Sequence, residues 1–77
     1  MTKFRYKVLR PLREAKGMTL AQLAFNANQL AGEVIVTPQA IQQWESAQVD
    51  PKASKLFAVC EALDVGVSHF FTEGGTE

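Results

Sequence analysis

Cysteine is almost missing from this chain: one thiol, Cys60, stands among 77 residues, so no disulfide closes within it and packing alone must hold the fold. A lone thiol suits a reducing compartment, and cytoplasmic localisation is expected. Histidine is equally scarce. With His69 alone and scattered carboxylates, no set of three or four ligands falls at a spacing that binds a metal. Cys60 and His69 form a catalytic pair by composition only, since nothing else marks a nucleophile. Glycine-rich phosphate loops and strand-turn-helix nucleophile elbows are also lacking. The sequence therefore carries no enzyme signature and implies no cofactor and no small-molecule ligand. No apolar run approaches the roughly 20 residues that span a bilayer, and the basic N-terminus leads into no signal-peptide core. No membrane partner is expected. What is present is 47% hydrophobic, with five glycines and three prolines, a balance that suits one small packed domain over residues 1–77.

Net charge is zero, with eight Lys and Arg against eight Asp and Glu, but the charge is polarised. Lys3, Arg5, Lys7, Arg10, Arg13 and Lys16 lie in the first sixteen positions against Glu14 alone. From Leu56 onward the charged groups are Glu61, Asp64, Glu73 and Glu77. An anionic partner would thus meet the N-terminal part of the domain. A solvated basic face explains the same six residues equally well.

The stretch "KFRYKV" alternates apolar Phe4, Tyr6 and Val8 with basic residues, a period of two that predicts an extended arm over 2–7. Pro11 lacks an amide proton, so the first helix is expected no earlier than about residue 8, running about 9–16 and stopped by Gly17. Thr19 with Gln22 three residues on makes a capping box before a helix over 20–30, whose stripe is Leu20, Leu23, Ala24 and Ala27. An extended insert, 29–35, follows, with Gly32 as breaker and Val34, Ile35, Val36 and Thr37 as a β-branched run. In "TPQAIQQWE", Thr37 caps and Pro38 begins a helix over 38–46. Ile41 and Trp44 turn inward there, and Gln39, Gln42 and Gln43 turn out. Asp50 and Pro51 repeat the start signal for a helix over 51–63, with Leu56, Val59, Cys60 and Leu63 as its stripe. Ser68 caps a last turn over 68–72.

In order and spacing, "LRPLREAKGMT", "TLAQLA", "VTPQAIQQWE" and "DPKASKLFAVCEALDV" resemble the Cro and phage-repressor (XRE) type of helix-turn-helix DNA-binding domain, from about Leu9 to Phe71. The resemblance implies an all-α, five-helix, lambda-repressor-like fold whose third helix lies in the major groove of double-stranded DNA. It implies base contacts from Gln39 and Gln43, with Gln42 beside them and Pro38 in place of a frequent polar contact. A glutamine amide matches the N7 and N6 edge of adenine in a bidentate pair. Thr37, Thr19 and Gln48 are the implied phosphate contacts, and Arg13 with Glu45 the implied ion pair between the first and third helices.

Three departures from the family pattern stand out. The turn before the third helix is longer by about seven residues. Ser46, Ala47 and Gln48 follow Glu45, where the family often has a basic residue, glycine and another basic residue. Pro11 interrupts the first helix. The two extended segments each need a strand partner, so residues near Lys3 to Lys7 are expected to pair with Glu33 to Val36 as a small β ribbon. Lys3, Arg5 and Lys7 would then face the DNA backbone like a wing. The implied function is a repressor-like transcriptional regulator, a homodimer on a palindromic operator, its dimer surface drawn from Val67, Phe70 and Phe71 unless these fill the core. The alternative is a protein-interaction module of the same fold, antitoxin-like or an adaptor, motivated by the missing cations after Glu45.

Overall fold

Apolar residues recurring three and four apart do most of the folding. Leu23, Ala24 and Ala27 of α2 (Leu20–Ala31) are buried, as are Leu56, Val59, Cys60 and Leu63 of α4 (Ala53–Leu63), and these two stripes pack against each other at the centre of the domain. Ile41 and Trp44 of α3 (Pro38–Glu45) close the core from one side, and Leu9 of α1 (Tyr6–Ala15) enters it from another. This computed structural model describes residues 2–73, with only the main chain for Thr2, Lys3 and Phe71–Glu73. A 3-10 turn, Val67–Phe70, follows α4, and two short strands, β1 (Thr2–Phe4) and β2 (Phe71–Glu73), pair antiparallel. Apart from that terminal pair the fold is all-helical.

Several expectations are corrected. Four α-helices lie among the described residues: in place of the fifth helix expected over 68–72 stand the 3-10 turn, with His69 N–H donating to the Gly66 carbonyl at 3.0 Å, and the start of β2. Ser68 lies inside that turn instead of capping a helix. Helix α1 begins at Tyr6 and runs through Pro11, so the extended arm is only three residues long. Pro11 cannot donate to the Lys7 carbonyl, but both residues are exposed and water can take that acceptor. Helix α4 starts two residues later than expected, with Lys52 as a cap that offers no side-chain hydrogen bond, because Asp50 and Pro51 stay outside the helix. Residues 29–31 of the expected insert extend α2, which ends at Gly32 in the left-handed conformation, φ 77°. Only residues 32–37 form the connection.

The expected ribbon is also absent among the described residues. Residues Thr2, Lys3 and Phe4 pair with Glu73, Thr72 and Phe71, not with the insert. The Phe4 ring stacks on Phe70, centroids 6.0 Å apart at 25°, and this contact brings the next residue, Phe71, opposite Phe4. The β-branched segment forms no strand among the described residues, and its polar groups find a side chain instead. Asn28 Oδ1 accepts from Ile35 N–H and Val36 N–H, and Nδ2 donates to the Val36 carbonyl, all at 2.9 Å. Val36 enters the core while Val34 stays 83% exposed.

Candidate nucleic-acid interface

One face of α3 is fixed in the core and the other is left to solvent. Thr37 Oγ1 accepts from Ala40 N–H at 3.1 Å, and Pro38, which has no amide proton to leave unpaired, opens the helix. The cap ends the connection and sets the first turn. Ile41 and Trp44 then anchor one side, and Gln39, Gln42 and Gln43 are exposed on the other. Together with Ser46 and Gln48 these glutamines line one shallow polar depression. Every group there is a neutral donor or acceptor, which suits hydrogen bonding to base edges better than attraction of phosphates.

At its far end α3 carries Glu45, an acid at the helix terminus where the macrodipole disfavours it. Arg13 offsets that. Its Nε donates to Glu45 Oε2 at 2.7 Å, its Nη2 to Oε1 at 3.2 Å, and its Nη1 to the Met18 carbonyl at 2.9 Å. One guanidinium thus joins α1, the turn before α2, and α3. The two side chains are only 10% and 9% exposed. The hydrogen bond to Glu45 raises the Arg13 pKa above its ordinary value, against the lowering effect of burial.

The turn after α3 explains one departure from the family pattern. Ala47 sits at φ 64°, a left-handed position where glycine meets no Cβ penalty. Here Gln48 N–H donates to the Gln43 carbonyl at 2.9 Å, and Ser46 Oγ to the Gln42 carbonyl at 3.0 Å, so the helix end is satisfied despite the strain. We predict that Ala47→Gly raises stability by about 0.5–1 kcal/mol in a thermal melt, the left-handed cost of alanine exceeding the unfolded-state entropy that glycine adds. A lower melting temperature would mean that Ala47 is not strained.

The other expected contact residues are dispersed. Thr19 is occupied by its capping box: Oγ1 accepts from Gln22 N–H at 3.1 Å and its own N–H donates to Gln22 Oε1 at 2.9 Å. Lys7 is exposed, its ammonium 5.9 Å from the centre of the Tyr6 ring. Arg5 is half-buried and turned to the 3-10 turn, its N–H donating to the Phe70 carbonyl at 2.6 Å. The Lys3 side chain lies outside the described residues. The wing of three cations beside the insert is therefore not formed, because β1 has β2 as its partner. Phe70 is fully buried and unavailable as a dimer surface, Val67 is half-buried, and the Phe71 side chain lies outside the described residues. Burial pushes the Cys60 thiol up to about 11, so it is no nucleophile near neutrality.

Two residues that sequence reasoning passed over belong to the site. Asn28 holds the connection into α3, and Ser46 lines the same depression as the glutamines. An asparagine in the last turn of a helix, just before a β-branched run, was the available signal, since Asn side chains compete for nearby backbone groups.

A family profile described as helix-turn-helix matches residues 9–70. No curated protein matches the chain. Among solved structures it is similar to the P22 c2 repressor protein, crystallised in complex with synthetic operator 9T in the presence of Tl+, with TM-score 0.72 and 22% identity over 87% of this chain and 91% of that one. At that identity the likeness speaks for the fold, which is lambda-repressor-like. With the matched segment running from α1 to the end of the 3-10 turn, the chain belongs to the helix-turn-helix family.

Proposed function

We propose that this protein is a sequence-specific, double-stranded DNA-binding transcriptional regulator of repressor type, with α3 as the recognition helix in the major groove. The observation that carries the reading is the neutral glutamine face of α3, exposed on a helix otherwise fixed by Ile41, Trp44 and Glu45. Gln39 and Gln43, at i and i+4, read bases, and Gln42 and Pro38 border them. Thr37 at the start of α3 and Gln48 just after it flank that face, and these two, with Thr19 at the start of α2, meet the phosphate backbone. Residues 1–77 act as one DNA-binding domain, in the cytoplasm, as a homodimer on a palindromic operator whose half-sites lie one helical turn, roughly 34 Å, apart.

Selection from a random duplex pool tests the reading. A reader of bases enriches one motif, and a footprint on that motif spans two half-sites if the protein binds as a dimer. Lys7→Ala is expected to weaken all duplexes alike and to reduce the salt slope of binding by at most about one ion, the signature of a phosphate contact. An altered motif with Lys7→Ala would place that residue among the base readers instead. The second reading, a protein-interaction module, is favoured by exposed Phe25 and Val34 and by the lack of cations in Ser46, Ala47 and Gln48. Enrichment of no motif would select it.

A further inference from the structure

Asn28 is the hub of the lengthened connection between α2 and α3. Its carbonyl accepts from Gly32 N–H at 2.9 Å, which closes α2, and its side chain takes both amide protons of Ile35 and Val36 and donates to the Val36 carbonyl. One residue therefore sets the end of α2 and the last two positions before the Thr37 cap. A short turn has little freedom, but six residues, 32–37, have much more. Without the amide of Asn28 the connection would be held before Thr37 by side-chain packing alone, the buried Val36 and the half-buried Ile35. The polar groups of Val36 would lose their partners in a place that water reaches poorly.

We propose that Asn28 is a positioning residue for base readout: by clamping the lengthened connection it fixes the first turn of α3, whose inner face Ile41 and Trp44 seat in the core, so that Gln39 and Gln43 meet the base edges in one register. It rests on the DNA-reading function above. Asn28 touches no base itself. It acts through Val36 and Thr37 on the start of α3, while Arg13 holds the other end.

The test measures binding to the duplex selected by the unaltered protein and to a scrambled duplex, together with amide exchange. Asn28→Ala is expected to lower the ratio of specific to non-specific affinity by roughly tenfold, about the effect of one misplaced base contact. Non-specific affinity should stay within about twofold, since the phosphate-facing groups are untouched. Exchange at Ile35 and Val36 should become fast while Leu23 and Ile41 remain protected. Asn28→Asp keeps an oxygen for both amide protons but sets a second oxygen against the Val36 carbonyl, so its ratio should also fall, while exchange at Ile35 and Val36 stays slower than in Asn28→Ala. This pattern separates positioning from loss of fold, which would lower both affinities together and expose Leu23 and Ile41. The proposal is overturned if Asn28→Ala stays folded with an unchanged ratio, or if both variants lose specific and non-specific binding in equal proportion. If the unaltered protein enriches no motif, the DNA-reading function fails first and positioning falls with it.

Discussion

Arg13→Ala is expected to destabilise the protein by roughly 3–5 kcal/mol, the range for breaking a buried ion pair from one side. Glu45, with its side chain only 9% exposed, would keep its charge with no guanidinium to neutralise it, and the Met18 carbonyl would lose its donor as well. For a domain of this size the change corresponds to a fall of roughly 12 °C or more in melting temperature. Such a loss is a large part of the roughly 5–15 kcal/mol that holds small domains folded. Solvent screens the pair only weakly, because the two side chains are nearly buried. The exposed Arg10 and Glu14 pair is the contrast: at 67% and 54% side-chain exposure, Arg10→Ala should cost no more than about 0.5 kcal/mol. Removing both buried charges, with Arg13→Met and Glu45→Leu together, should recover much of the stability lost in Arg13→Ala. Arginine protonation adds no pH lever. Its folded pKa is raised, so its stabilising effect is complete below the unfolded value and is lost only as pH climbs beyond the working range. Thermal melts of the three variants decide the matter, and an Arg13→Ala melting temperature within about 2 °C of the parent would remove the buried-pair account.

The helices were legible because their signals are local. Thr19 with Gln22, and Thr37 with Pro38, are complete start signals in themselves, and the stripes of α2, α3 and α4 repeat at a helical period, so the starts of α2 and α3 and the buried faces of all three followed from neighbours a few residues apart, whereas the start of α4 did not. The terminal segments were not legible in the same way. Phe4, Tyr6 and Val8 alternate like a strand, yet Phe4 alone lies in β1 and Tyr6 already begins α1. The partner of β1 lies some 70 residues away in sequence, and alternation cannot name a partner at that separation. The insert misled for a different reason: β-branched residues report an extended main chain, but not who satisfies its hydrogen bonds. Asn28 does so from within a helix. In the candidate site, the outward glutamines follow from helical phase alone, whereas the placement of Arg5 depended on which strand the arm chose.

Gln39→Ala and Gln43→Ala should each leave stability almost unchanged and sharply reduce discrimination between sequences. Both side chains are exposed, and alanine is at least as good a helix former as glutamine, so truncation removes no core contact and no cap. A bidentate contact between a glutamine amide and adenine carries roughly 1–3 kcal/mol of discrimination, which corresponds to about 5- to 150-fold at the base pair it reads. Each variant should therefore lose preference at one or two base pairs per half-site and keep the rest of the selected motif. Because the two residues lie one helical turn apart, the positions they relax should be neighbours, not the same base pair. Arg13→Ala supplies the comparison, since loss of fold lowers affinity for every sequence alike. Competition binding with single-base-pair variants of the selected duplex reads these differences directly. A motif left intact by both glutamine substitutions, with melting temperatures unchanged, would mean that the polar face of α3 points away from the bases and that recognition lies elsewhere on the domain.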